Sequence, residues 1–155
     1  HLNLSRENTL IAGLSMGGYG AFKAAFLRPD LYSVAGSFSG ALALSFESEI
    51  VDEERMKEFS FVFGDLSKFP GSLNDPLTWP EMAAKDPERY PALYAACGLQ
   101  DFLLEANRAF VNKARALGIS LAYVEEPGIH DWHFWNSQIA TFLDLYVKPA
   151  SQTQA

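Results

Sequence analysis

Short apolar runs alternate with longer segments of helical periodicity along most of the chain. An apolar run bounded by glycine or polar residues predicts a buried strand, whereas apolar positions three and four residues apart predict a helix. Strands are predicted on this basis at 9–14, 34–39, 92–98 and 121–124, and helices at 16–28, 103–117 and 134–147. This alternation predicts an α/β fold with a mostly parallel sheet and flanking helices.

The apolar positions of the last two helices predict which side of each helix packs on the sheet. For the first of these helices they are Leu103, Phe110, Ala114 and Leu117, and for the second they are Trp135, Ile139, Phe142 and Tyr146. We therefore expect one continuous buried face on each helix.

The segment 46–91 interrupts the alternation and differs in composition. It holds 11 acidic and 5 basic residues, so it carries −6 of the formal net charge of −7. Five of the chain's prolines also lie in it. We expect a cap-like acidic excursion of short helices and loops outside the sheet. A solvated surface and a lid over a site both remain open as its role.

Composition excludes several classes of function. An acidic chain without a basic run is a poor ligand for phosphate backbones, so no nucleic-acid partner is expected. The longest uncharged stretch, 31–46, is too short and too polar to span a bilayer, so no membrane partner is expected. The single cysteine, Cys97, excludes an internal disulfide and is compatible with a cytoplasmic location, which we expect.

The strongest local motif is Gly13-Leu14-Ser15-Met16-Gly17, a G-x-S-x-G pattern between a predicted strand and a predicted helix. In this context the pattern predicts a sharp turn that exposes a nucleophilic serine, with the flanking glycines permitting the turn. The Met16 backbone N–H would lie at the start of the helix, where it can bind an oxyanion. Two other glycine-loop motifs fail, because a P-loop needs lysine in place of Tyr19 and a dinucleotide fingerprint needs a small residue in place of Lys23.

A serine nucleophile needs a base and an orienting carboxylate. His130 lies in the loop after the last predicted strand, where open α/β sheets place their sites, whereas His133 is expected to pack or to support the site. Asp101 follows the preceding strand and is the predicted carboxylate, with a helix N-cap as the alternative role. Trp132 is a candidate wall of an acyl pocket. The two histidines lack a third metal ligand, so no metal site is predicted.

These motifs together resemble the esterase D-type family of the α/β-hydrolase fold, particularly its short-chain acyl esterases. The resemblance rests on the segments 13–21, 38–40, 97–103 and 128–132. It implies Ser15 as nucleophile, His130 as general base and acid, and Asp101 as the orienting carboxylate. It implies no cofactor.

This sequence departs from the family pattern in the number of residues before the motif serine. Members of the family carry about a hundred residues there, and this chain has far fewer. We therefore expect residues 1–155 to be a partial domain, the C-terminal half of an α/β-hydrolase. One oxyanion donor is then supplied from elsewhere or missing, and the first strand is unpaired at its edge. A separate N-terminal fragment or another subunit is expected to complete the sheet, and a homo-oligomer is also left open.

The expected function is that of a serine carboxylesterase acting on small-molecule, short-chain acyl esters through an acyl-enzyme. Two alternatives stay open: a catalytically silent half-domain that needs a partner chain, and an acyltransferase that uses the same three residues.

Overall fold

The computed structural model describes residues 5–46 and 52–147. Its single sheet has four strands in the order β1–β2–β3–β4, and every neighbouring pair is parallel. The strands are β1 (Leu10–Leu14), β2 (Val34–Phe38), β3 (Ala92–Gly98) and β4 (Leu121–Glu126). The predicted α/β fold is confirmed, and β4 extends two residues beyond its predicted end.

Helices cover both faces of the sheet. They are α1 (Met16–Leu27), α2 (Glu53–Phe63), α3 (Trp79–Ala83), α4 (Leu104–Ala116) and α5 (Trp132–Tyr146). Side chains from α1, α3 and α4 form one core cluster with Ala35 and Leu93, whereas α5 forms the other with Val34 and Tyr94. Side chains of adjacent strand residues therefore pack on opposite faces of the sheet, because side chains alternate between the two faces along a strand.

The acidic segment has the predicted short elements, with 3₁₀ turns at Leu66–Lys68, Pro76–Thr78 and Pro87–Arg89 besides α2 and α3. Asp52 caps α2 by accepting a hydrogen bond from the Arg55 N–H. The segment is not wholly peripheral, because Trp79 is fully buried and stacks on Phe26 of α1. Residues 47–51 lie outside the described residues, and the cap-like role remains a prediction.

The predicted buried face of α4 needs a correction. Leu117 is 39% exposed at the end of the helix, and Leu103 is only half-buried. The buried face contains Leu104 and Asn107 with the correctly predicted Phe110 and Ala114. A helix turns about 100° per residue, so a one-residue error in its first apolar position displaces that side chain from the stripe.

The predicted face of α5 agrees with the structure: Trp135 and Phe142 are buried, while Ile139 and Tyr146 pack partly buried against the same cluster. The helix begins two residues before its predicted start, because Asp131 accepts hydrogen bonds from the His133 and Phe134 N–H groups. None of the described helices is both long and apolar enough to cross a membrane.

Candidate active site

Three of the predicted site residues converge at the carboxyl edge of the sheet. Ser15 immediately follows β1, Asp101 lies in the loop after β3, and His130 lies in the loop after β4. Parallel strands bring their carboxyl ends to one edge, so these loops are neighbours although they are distant in sequence.

A continuous hydrogen-bond chain joins the three side chains, which we call the triad. Ser15 Oγ lies 2.9 Å from His130 Nε2, and His130 Nδ1 lies 3.0 and 2.9 Å from the two carboxylate oxygens of Asp101. A carboxylate only accepts hydrogen bonds, so an ionised Asp101 requires the proton on Nδ1. In a neutral imidazole, Nε2 is then free to accept the Ser15 hydroxyl proton.

Asp101 has a second contact besides His130, but it is not the N-cap of α4, because the N-cap residue is Leu103 and α4 has no side-chain cap. The Asp101 side chain is fully buried, and Oδ1 also accepts a hydrogen bond of 2.8 Å from the Leu103 N–H at the start of α4. The backbone contact fixes the carboxylate relative to the helix, while His130, with 18% of its side chain exposed, remains reachable from solvent.

Ser15 lies in a strained turn with φ 53° and ψ −124°. The turn is held on both sides: the Ser15 N–H donates to the Phe38 carbonyl, and the Ser15 carbonyl accepts from the Gly18 and Tyr19 N–H groups. A non-glycine residue in such a conformation costs about 1–3 kcal/mol and persists only where its surroundings impose it.

Only one of the two motif glycines is required by close packing. A Cβ on Gly13 would collide with the Gly17 carbonyl, whereas a Cβ on Gly17 would meet nothing within 4 Å. The next residue, Gly18, is the second close approach, since a Cβ there would lie 2.6 Å from Ser37 Oγ. The expectation that both flanking glycines permit the turn is therefore wrong for Gly17.

The Met16 N–H begins α1 directly after Ser15. The first N–H groups of a helix have no acceptor within the helix, and its dipole favours negative charge there. This position suits an anion bound beside Ser15 Oγ. The oxyanion role of Met16 stays a prediction.

Two aromatic side chains pack against the His130 imidazole. The Phe102 ring centre is 4.5 Å away, and the Trp135 ring centre is 4.9 Å away and nearly perpendicular. Trp135 is also tethered, because its Nε1–H donates a 3.1 Å hydrogen bond to Ser39 Oγ. The exposed Trp132 packs on Trp135, and its predicted contact with substrate stays a prediction.

Asn107 is a supporting residue that the sequence analysis missed. It is fully buried in α4, and its Nδ2 donates 2.9 Å hydrogen bonds to the carbonyls of Gly40 and Leu103. It therefore connects the loop that carries Asp101 to the segment beside the serine turn, where the Ala41 N–H donates to the Ser15 carbonyl. The sequence did contain a sign of this role, because Asn107 lies four residues after Leu103 and three before Phe110. This spacing places a polar side chain on the predicted apolar face of the helix.

Two further candidates lie outside the triad. His133 is exposed in the first turn of α5, so the packing role expected for it is wrong. Cys97 is buried in β3, and burial, together with the nearby Asp101 charge, raises the pKa of its thiol to about 12. Within residues 5–46 and 52–147, no group of three or more metal-binding side chains is close enough to hold an ion.

Comparison with known proteins identifies the family. A protein-family model described as "Putative esterase" matches residues 1–145. The chain belongs to this esterase family. It is 36% identical over 148 residues to an acetyl esterase of Caldicellulosiruptor saccharolyticus, and the match covers 92% of this chain and 56% of that protein.

Solved structures of serine hydrolases share the fold. The substrate-bound fluorophosphonate-binding serine hydrolase F of Staphylococcus aureus superimposes with a TM-score of 0.82 at 28% identity, over 96% of this chain and 57% of that one. An S-formylglutathione hydrolase of the same organism has a TM-score of 0.80 at 27% identity, over 95% of this chain and 57% of its own. The chain thus spans a little more than half the length of these relatives.

Proposed function

We propose that Ser15, His130 and Asp101 are the catalytic triad of a serine carboxylesterase that hydrolyses short-chain acyl esters. The observation that carries this proposal is the hydrogen-bond chain from Ser15 Oγ through the imidazole to the buried carboxylate. Such a chain activates a hydroxyl that is otherwise a weak nucleophile. The acetyl esterase relative supports a short acyl group.

In the proposed reaction, Ser15 Oγ attacks the ester carbonyl carbon while His130 Nε2 takes the hydroxyl proton. Asp101 holds the ring and stabilises the imidazolium, and the Met16 N–H donates to the oxyanion. The C–O bond to the alcohol then breaks, and Nε2 returns the proton to the leaving oxygen. Water, deprotonated by His130, attacks the acyl-Ser15 ester and releases the acid.

We also propose that β1 pairs with a further strand, supplied by another segment, by a separate fragment or subunit, or by a second copy of the chain. Supporting this, β1 is an edge of the described sheet and its Ala12 is exposed. An exposed edge strand offers unpaired N–H and carbonyl groups to such a partner. The same partner would supply the second oxyanion donor. Native mass spectrometry tests this, and an active, monomeric 155-residue chain would contradict it.

Labelling with a fluorophosphonate tests the catalytic proposal in the protein that carries this chain. Intact mass should show one adduct, which Ser15→Ala abolishes and His130→Ala slows by about 10²-fold or more. Ser137→Ala, at an exposed serine of α5, is the matched control and should label like the wild type. A folded wild-type protein that takes no adduct, or takes it on another residue, contradicts the proposal.

A further inference from the structure

We infer that the proposed esterase acts on esters whose alcohol part is apolar or aromatic, and that Phe102 is the side chain that contacts this part. The inference rests on the proposed function and deepens it, because it concerns the step in which the alcohol leaves.

The two aromatic neighbours of the His130 imidazole differ in exposure. Trp135 is 7% exposed and its Nε1–H donates a hydrogen bond to Ser39, so its own ring is covered by protein. Phe102 is 76% exposed, although its ring centre lies only 4.5 Å from that of the imidazole. Of the two aromatic rings that contact the imidazole, Phe102 is therefore the one that a substrate can reach.

The leaving group must come close to the same imidazole. The leaving oxygen receives its proton from His130 Nε2, so it must lie about 3 Å from that atom. The acyl carbon is at that moment bonded to Ser15 Oγ, and the alcohol substituent points away from it. Because Phe102 is the exposed aromatic ring against this imidazole, it is the side chain assigned to contact the substituent.

Two exposed side chains that adjoin triad residues in the chain are apolar. Besides Phe102, the neighbour of His130 in the chain, Ile129, is 55% exposed. A polar alcohol would lose water against these groups without gaining a hydrogen bond from either side chain, whereas an aromatic alcohol would gain contact with the Phe102 ring. The exposed phenylalanine is thus expected to discriminate between alcohols and not between acyl groups.

This assignment predicts an effect on one chemical step only. The alcohol is present while the acyl-enzyme forms and has left before water attacks. A change at Phe102 should therefore alter acylation and leave deacylation unchanged, which a merely structural role would not do.

The test compares two acetate esters of similar leaving-group acidity, 2-phenylethyl acetate and 2-(2-methoxyethoxy)ethyl acetate, in the protein that carries this chain. We expect the wild type to prefer the first, and Phe102→Ala to lower the ratio of the two kcat/KM values roughly tenfold. Phe102→Leu should restore part of the preference. Phe61→Ala is the matched control, because Phe61 is 80% exposed on α2.

The rate of deacetylation, measured after a burst of acyl-enzyme, should be the same in the wild type and in Phe102→Ala. Hydrolysis of both esters with a ratio that Phe102→Ala leaves unchanged overturns the inference while the proposed function stands. An equal loss on both esters, or slower deacetylation, overturns it too. A wild-type protein that hydrolyses neither ester and takes no fluorophosphonate contradicts the proposed function itself, and with it the inference.

Discussion

The indole N–H of Trp135 donates a hydrogen bond to the hydroxyl of Ser39 at 3.1 Å, joining α5 to the loop after β2. Ser39 has a left-handed φ of 48°, and its own N–H donates to the Ala96 carbonyl of β3. The same indole packs nearly perpendicular to the His130 imidazole. This buried hydrogen bond therefore holds in place the indole that packs against the imidazole.

Removing this bond should affect both stability and turnover. Trp135→Phe keeps an aromatic ring but deprives the buried Ser39 hydroxyl of its donor, so the free energy of unfolding should fall by about 1–3 kcal/mol. The less firmly held aromatic ring should position His130 less well, so kcat should fall more than KM rises. Urea denaturation and steady-state kinetics measure the two effects. The double variant Trp135→Phe/Ser39→Ala should cost less than the sum of the single variants, and strict additivity would contradict a direct bond.

Asn107 should tolerate an apolar replacement better than an acidic one. Asn107→Leu removes one of the two donors to the buried Gly40 carbonyl, which keeps the Leu42 N–H, so the free energy of unfolding should fall by about 0.5–1.5 kcal/mol. Asn107→Asp should cost more at pH 7, because a carboxylate would face two carbonyl oxygens. Chemical denaturation measures both. The exposed Asn112 of the same helix supplies the control, since Asn112→Asp should change stability by less than about 0.5 kcal/mol. Equal costs for the two Asn107 variants would argue against the assigned donor role.

The two glycines of the serine motif should respond in opposite ways to alanine. Gly13→Ala forces a Cβ into the Gly17 carbonyl, so we expect a loss of stability of several kcal/mol and displacement of Ser15. Gly17→Ala meets open space inside a helix, where alanine is favoured by about 0.5–1 kcal/mol. Thermal unfolding of the two variants decides the matter, and a destabilised Gly17→Ala would refute the packing argument.

Cys97 should make the protein less stable in alkaline solution. In the folded state its pKa is about 12, whereas an unfolded thiol ionises near pH 8.5. The unfolded state therefore loses a proton that the folded state retains, and the free energy of unfolding should fall by up to about 1.4 kcal/mol per pH unit above pH 8.5. Denaturation between pH 7.5 and 10 measures the slope. Cys97→Ala should flatten it, and identical slopes would show that another group is responsible.

Local patterns predicted the elements and the loops that hold the triad. Apolar runs and glycine positions are properties of neighbouring residues, so β3 has its predicted bounds and α1 lies within one residue of its predicted range. The triad positions could be named because each follows a strand, and the strands of a parallel sheet end at one edge.

The sequence by itself therefore determined the α/β class, the strand–turn–helix around Ser15 and the loops that carry Asp101 and His130. Tertiary structure alone decided that Trp135 bonds Ser39, that Asn107 bonds Gly40, and that close packing requires Gly13 and not Gly17. These contacts join residues 96 and 67 positions apart, or depend on how tightly two backbones approach. Such distances are fixed by the packing of helices on the sheet, and neither periodicity nor a motif encodes them.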